Sequence, residues 1–134
     1  MSWDLFAAKI PPECKTTADL PDGWAPPDIG SRSDIIEQIR KIMPGADFSD
    51  PAWGRVDGPD YSIEISLSGD EMQSMVTFFV RGGDAAAFVA AEIITGLGLR
   101  AFDAGSNDGT IFPGKDVTDG LRNWRRFRDR ALES

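Results

Sequence analysis

Histidine is absent from this 134-residue sequence, and cysteine occurs once, at Cys14. Without histidine, Ser-His-Asp and Cys-His catalysis and the common zinc and non-haem iron sites are excluded. A single cysteine forms no internal disulfide, and with no histidine to activate it Cys14 is expected to be a small buried or loop residue rather than a nucleophile. The sequence therefore predicts no metal and no cofactor, and it favours a role without catalysis.

Long apolar runs are also missing. No stretch approaches the roughly 20 apolar residues that span a membrane, and the first residues lack the basic region and apolar run of a secretory signal. We therefore expect a cytoplasmic protein that does not enter a membrane. The hydrophobic content of 41% and the charged content of 27% are typical of globular proteins, and the length predicts one domain over residues 1–134.

Acidic residues outnumber basic ones, and the formal net charge is -8. Residues 116–134 carry five arginines against four acidic residues, a balance of +1, which leaves -9 for residues 1–115. An acidic body disfavours nucleic acid and anionic membranes and attracts a basic protein partner. Solubility alone is the simpler explanation of the charge.

The first third of the sequence predicts one strand, one long loop and one helix. Weak alternation over residues 2–10 indicates a strand, and the proline-rich segment 11–30, which contains Trp24, is expected to be a loop with little regular structure. Ser31 to Asp34 form a capping-box pattern before a stripe of apolar residues at helical spacing. This helix is expected to stop at Pro44-Gly45.

The middle of the sequence predicts a hairpin followed by a helix. We interpret Phe48 to Gly54 as rich in turns, whereas residues 61–67 alternate with the period of a half-buried strand. Residues 75–80 form a second β-rich run. An alanine-rich helix is expected from Ala85 to Leu97, and a short strand over residues 99–103. Seven apolar residues of these elements are expected to share one core: Ile35, Ile39, Ile42, Ile63, Ile65, Val89 and Ile93.

The order strand, helix, strand, strand, helix, strand is typical of the ferredoxin-like split β-α-β fold. We therefore predict an α+β protein with an antiparallel sheet and two helices on one face. Residues 105–115 are interpreted as a loop. Residues 116–132 are predicted to form an additional amphipathic helix, whose arginines either balance the acidic body or contact phosphates; we favour docking on the body.

The junction Arg81-Gly82-Gly83-Asp84 is one candidate binding site. Glycines free the backbone amides at a helix N-terminus, and Arg81 adds positive charge, which together suit an anion. Asp84 would itself cap the helix and occupy those amides, so we favour a purely structural turn.

The segment Trp53 to Tyr61 is a second candidate site. Asp57 and Asp60 could divide acid and base roles, but Asp57-Gly58 and Pro59-Asp60 are ordinary turn dipeptides, and we favour turns. Trp53 and Arg55 are better candidates for a binding surface, because tryptophan and arginine dominate interface hot spots.

Three segments resemble a group of small bacterial proteins of unassigned function: Met1-Ser2-Trp3-Asp4, residues 46–54 and residues 81–84. The likeness extends over most of the first hundred residues. It implies a bacterial, single-domain protein, and it carries over no activity, cofactor or catalytic residue.

The leading hypothesis is a small non-catalytic protein-binding module. Its surface would combine the proline-rich loop, with Trp24, and the segment Trp53 to Arg55. Size and acidity are also those of an immunity protein that neutralises a toxin. The alternative is a small-ligand-binding protein or enzyme that uses Arg55, Arg81 and carboxylates in a pocket at one end of the sheet. The sequence leaves the oligomeric state open, including a homodimer.

Overall fold

A computed structural model describes residues 3–82, 84–103 and 111–112. These residues form two α-helices, nine β-strands and a short 3-10 helix at Thr17–Asp19. The helices are α1 (Arg32–Ile42) and α2 (Asp84–Gly96). The strands are β1 (Trp3–Ala8), β2 (Gly30–Ser31), β3 (Asp47–Asp50), β4 (Trp53–Asp57), β5 (Tyr61–Ser66), β6 (Met72–Gln73), β7 (Val76–Gly82), β8 (Arg100–Asp103) and β9 (Ile111–Phe112).

Seven of these strands form one sheet in the order β3-β4-β5-β7-β1-β8-β9. Every neighbouring pair in it is antiparallel. The remaining two strands, β2 and β6, pair with each other beside it. The predicted α+β class and antiparallel sheet are confirmed.

Helix α1 forms where the capping pattern and the apolar stripe predict it. The Ser31 hydroxyl accepts a hydrogen bond from the Asp34 backbone N–H at 3.2 Å, which satisfies one of the open amides of the first turn. Ile35 and Ile39 are fully buried on its inner side. The helix ends at Ile42, just before Pro44, which cannot donate to a further turn.

The main core lies between the two helices and one face of the sheet. It contains five of the seven expected core residues, and the other two, Ile42 and Val89, pack against it while half-buried. Phe78 is the largest fully buried side chain, and it lies on the central strand β7. The expectation of one shared core is confirmed.

The interpretation of Phe48 to Gly54 as turns is wrong in part. This segment lies in a hairpin: β3 and β4 pair antiparallel, and only Pro51 and Ala52 form the turn. Gly54 pairs with Ile65 in the strand, and it is a glycine because a Cβ there would overlap the Phe48 ring. The glycine at position 54 therefore reflects the close approach of an aromatic ring rather than a turn.

The expected loop 105–115 is interrupted by β9, which pairs with β8. The predicted C-terminal helix 116–132 lies outside the described residues.

Strand alternation gives the sheet two different faces. One face, here called the helix face, carries the core residues Leu5, Ile63, Ile65, Phe78 and Val80 and is covered by α1 and α2. The opposite face, here called the open face, carries the intervening residues of the same strands. The candidate binding residues Trp53, Arg55 and Arg81 lie on the open face.

Candidate interaction surface

Strands β4, β5 and β7 present nine residues on the open face, which we call the docking surface. Cross-strand register aligns them in rows: Trp53 beside Ser66 and Thr77, Arg55 beside Glu64 and Phe79, and Asp57 beside Ser62 and Arg81. Both helices lie on the other side of the sheet. The surface is therefore aromatic at one end and charged at the other.

Trp53 is the most prominent side chain of this surface. It is 41% exposed, and its ring stacks on Phe79 with the centroids 5.5 Å apart and the planes 22° apart. The contact reaches diagonally across β5, because Trp53 lies on β4 and Phe79 on β7. Stacking fixes the orientation of the indole while leaving much of its surface to solvent, an arrangement that suits a binding anchor.

Each arginine of the docking surface is paired with a carboxylate. The Arg81 guanidinium Nη1 lies 3.0 Å from Glu64 Oε1, and Arg55 Nε lies 2.9 Å from Asp57 Oδ2. Exposed pairs of this kind contribute little to stability. Their main consequence is electrostatic: the two positive and two negative charges cancel, so the docking surface is neutral in a chain of net charge -8.

The two halves of the candidate anion site at Arg81, Gly82 and Gly83 point to opposite sides of the sheet. Arg81 extends over the open face towards Glu64, whereas α2 begins on the helix face. Gly82 has a φ of +128°, and a Cβ there would lie 2.7 Å from the Asp60 carbonyl oxygen. This glycine has a structural reason of its own; Gly83 lies outside the described residues.

The two candidate carboxylates, Asp57 and Asp60, lie in different structural settings. Asp57 ends β4 and pairs with Arg55, while Asp60 lies in the turn before β5. The dipeptide signals predicted this turn correctly.

Trp24 lies at the other end of the open face. It is half-buried and packs, with Leu20 and Phe102, against a second apolar cluster formed by Ala8, Ile10, Cys14 and Ile111. Because Ala8, Phe102 and Ile111 are open-face residues of β1, β8 and β9, the proline-rich loop covers this part of the sheet. The two predicted parts of the surface, around Trp24 and around Trp53, therefore share one sheet face.

Two important residues were not predicted as site residues, namely Phe79 and Arg100. Phe79 follows Phe78 directly, so strand alternation places Phe79 on the open face, opposite the buried Phe78. The Arg100 guanidinium donates to the carbonyl oxygens of Pro11 and, at 2.8 Å, of Cys14, so it ties the proline-rich loop to β8. No local sequence signal connects residues so far apart in the chain.

A separate shallow groove of about 460 Å³ lies between α1 and the sheet edge at β3. Its floor includes Ile36, Phe48 and Pro51, and the Arg40 guanidinium lies 6.0 Å from the centre of the Phe48 ring. The outer edge itself is partly closed, because the Ser49 N–H is already bonded to Asp47 Oδ1 at 2.9 Å. Such self-bonded edges discourage pairing with a further strand.

Among residues 3–82, 84–103 and 111–112 there is no group of three or more cysteine or acidic side chains that could hold a metal ion. Neither helix in this part of the chain is long and apolar enough to span a membrane. No protein-family model matches the sequence, and neither curated proteins nor solved structures contain a significantly similar chain.

Proposed function

We propose that this chain is a non-catalytic protein-binding module that engages its partner through the docking surface. The observation that carries the proposal is Trp53, which is 41% exposed yet held by stacking on Phe79. Tryptophan is enriched among interface hot spots, and a ring already held in one orientation loses little conformational freedom on binding.

Charge distribution supports a basic protein partner. The docking surface is neutral because its arginines are paired, and so the entire net charge of -8 lies elsewhere on the chain. This pattern favours a protein with an apolar contact centre surrounded by basic residues, which the acidic body would attract over a distance. Nucleic acid fits this surface poorly, because its two guanidinium groups, on Arg55 and Arg81, already bind carboxylates.

The proposed fold type is a ferredoxin-like core with additions. Strands β5, β7, β1 and β8 are adjacent in that order and antiparallel, and α1 and α2 lie on one side, which supports a split β-α-β arrangement. On this proposal the β3-β4 hairpin and β9 extend the core at its two edges. The extension matters for function, because β4 contributes Trp53.

A bacterial immunity protein that neutralises a toxin is one kind of module that these features would fit, on size and acidity alone. A ligand pocket that uses Arg55 and Arg81 is less favoured, because both side chains are engaged in ion pairs at about 3 Å.

Site-specific photo-crosslinking tests the proposal. A photoreactive phenylalanine analogue placed at Trp53 should capture one protein from the native cell, and the same analogue at Met72 should not. Met72 is a matched control because it is also exposed, at 48%, but lies on β6 outside the main sheet. With the captured protein purified, Trp53→Ala should weaken binding about 30-fold or more, as expected for a hot spot. Equal capture at both positions, or unchanged affinity of Trp53→Ala, would contradict the proposal.

A further inference from the structure

The segment between Ala8 and Ile29 joins the main sheet at one end and the main core at the other. Ala8 is the last residue of β1, and Ile29 packs against the main core and donates its N–H to the Gln73 carbonyl at 2.7 Å. Between these anchors, residues 9–28 form what we call the strap. The strap contains no α-helix and no strand of the main sheet.

The strap packs on an apolar cluster that is separate from the main core. Among the described residues, four buried side chains form this cluster, two of them, Ile10 and Cys14, from the strap itself, whereas 22 form the main core. Leu20 and Trp24 of the strap add half-buried contacts to it. A segment with fewer buried apolar contacts needs less free energy to open locally. The strap therefore belongs to the least stable part of the described fold.

Polar contacts hold the strap at its first half. Arg100 donates to the carbonyl oxygens of Pro11 and Cys14, and the Ile111 N–H donates to the Lys15 carbonyl at 2.9 Å. Partial burial of the guanidinium lowers the pKa of Arg100, which remains charged at neutral pH. These bonds stabilise the closed strap from β8 and β9, whereas its second half has mainly the contacts of Leu20 and Trp24.

We propose that the strap opens as a unit while the main core stays folded, and that Arg100 is the positioning residue that holds it closed. Opening uncovers Ala8, Phe102 and Ile111 on the open face. Phe102 contacts Phe6 at 5.7 Å between ring centroids, and Phe6 lies in the same cross-strand row as Thr77 and Trp53 of the docking surface. The open strap thus extends the docking surface across β1 to β8.

Cys14 provides a direct probe of this opening. It is the only cysteine in the chain, it is 3% exposed, and it lies inside the strap. If the strap opens, a thiol-reactive dye labels the native protein at a rate that rises with the population of the open strap. Four proteins are compared: the native sequence, Arg100→Gln, Leu20→Ala and Ile39→Ala, which weakens only the main core.

If the strap opens alone, Ile39→Ala should leave the labelling rate within about twofold, because global unfolding does not limit it. Arg100→Gln should accelerate labelling about 10-fold or more, since it removes charge-assisted hydrogen bonds to Pro11 and Cys14. Arg100→Lys, which keeps the charge but not the forked geometry, should be intermediate. Leu20→Ala should also accelerate labelling. Because this variant leaves β8 unchanged, it tests the proposal even if Arg100→Gln fails to fold.

The proposal is overturned if Ile39→Ala accelerates labelling as strongly as the strap variants do, or if no labelling precedes global unfolding in denaturant. Amide exchange at Ile111 gives a second measure, because this N–H is protected by the strap itself. It should exchange faster in Leu20→Ala than in the native sequence, whereas Ile65, in the main core, should not. These measurements need no partner, so they succeed or fail independently of the proposed docking.

Discussion

The two faces of the sheet differ in what covers their apolar residues. On the helix face, apolar residues of β1, β5 and β7 are covered by α1 and α2, and most are fully buried. On the open face the same strands carry aromatic rings among hydroxyl groups and ion pairs, and within the described residues the strap covers this face near β8. The difference indicates that the helix face provides stability, whereas the open face is left available for contacts.

The open face itself is divided. Around Ala8, Phe102 and Ile111 its apolar residues are covered by the chain's own strap, while around Trp53 and Phe79 the rings remain accessible. Covered and accessible aromatic residues therefore lie side by side on one sheet. The strap shows how a mostly irregular segment, rich in proline and carrying one tryptophan, can cover part of this face.

Adjacent phenylalanines on β7 give the strongest test of the contrast between faces. Phe78 is fully buried on the helix face, and its replacement by alanine should lower the free energy of unfolding by about 3–5 kcal/mol. Phe79 is half-buried on the open face. Its replacement by alanine should lower the free energy of unfolding by about 1 kcal/mol, mainly because its stacking on Trp53 is lost. Urea denaturation monitored by circular dichroism measures both. Equal losses would mean that the open face also forms part of the core.

Helix α1 offers a second, somewhat smaller test of what covers the helix face. Ile39→Ala should lower the free energy of unfolding by about 2–5 kcal/mol, because Ile39 is fully buried in the main core. Its exposed neighbour Gln38 is the control, and Gln38→Ala should change stability by less than about 0.5 kcal/mol. A loss below that value for Ile39→Ala would show that α1 does not contribute to the core.

Most of the helix face could be predicted from the sequence, because periodicity reports burial directly. The helical spacing of the apolar residues from Ile35 to Ile42 predicts a helix, and the alternation from Tyr61 to Leu67 predicts a strand. The β3-β4 hairpin could not be predicted, since Gly54 and Asp50-Pro51 are typical of turns and the true reason for the glycine is a ring six residues earlier. Two-residue strands such as β9 carry too few residues to show any period.

The candidate site was predicted by residue type but not by geometry. Trp53 and Arg55 were singled out because such residues favour interfaces, and they do lie exposed on one strand. The ring that stacks on Trp53, Phe79, comes from β7, and the ion pair Glu64–Arg81 joins β5 to β7; no spacing rule connects these residues to Trp53. Cross-strand register decides these contacts, and register depends on the whole sheet.

The smallest expected effect concerns Asp47, which lies beside Arg55 at the edge of the open face. Hydrogen bonds from the Ser49 hydroxyl, at 2.6 Å, and from the Ser49 backbone N–H lower the pKa of Asp47. The stability that this carboxylate contributes is therefore present above its unfolded pKa of about 3.9 and is lost as the pH falls through the lower folded pKa. Asp47→Asn removes the charge and keeps one acceptor oxygen. Its melting temperature should lie slightly below that of the native chain at pH 6, and the gap should close near pH 2. Ser49→Ala should show the same convergence, and a gap that is constant with pH would exclude a role for the charge.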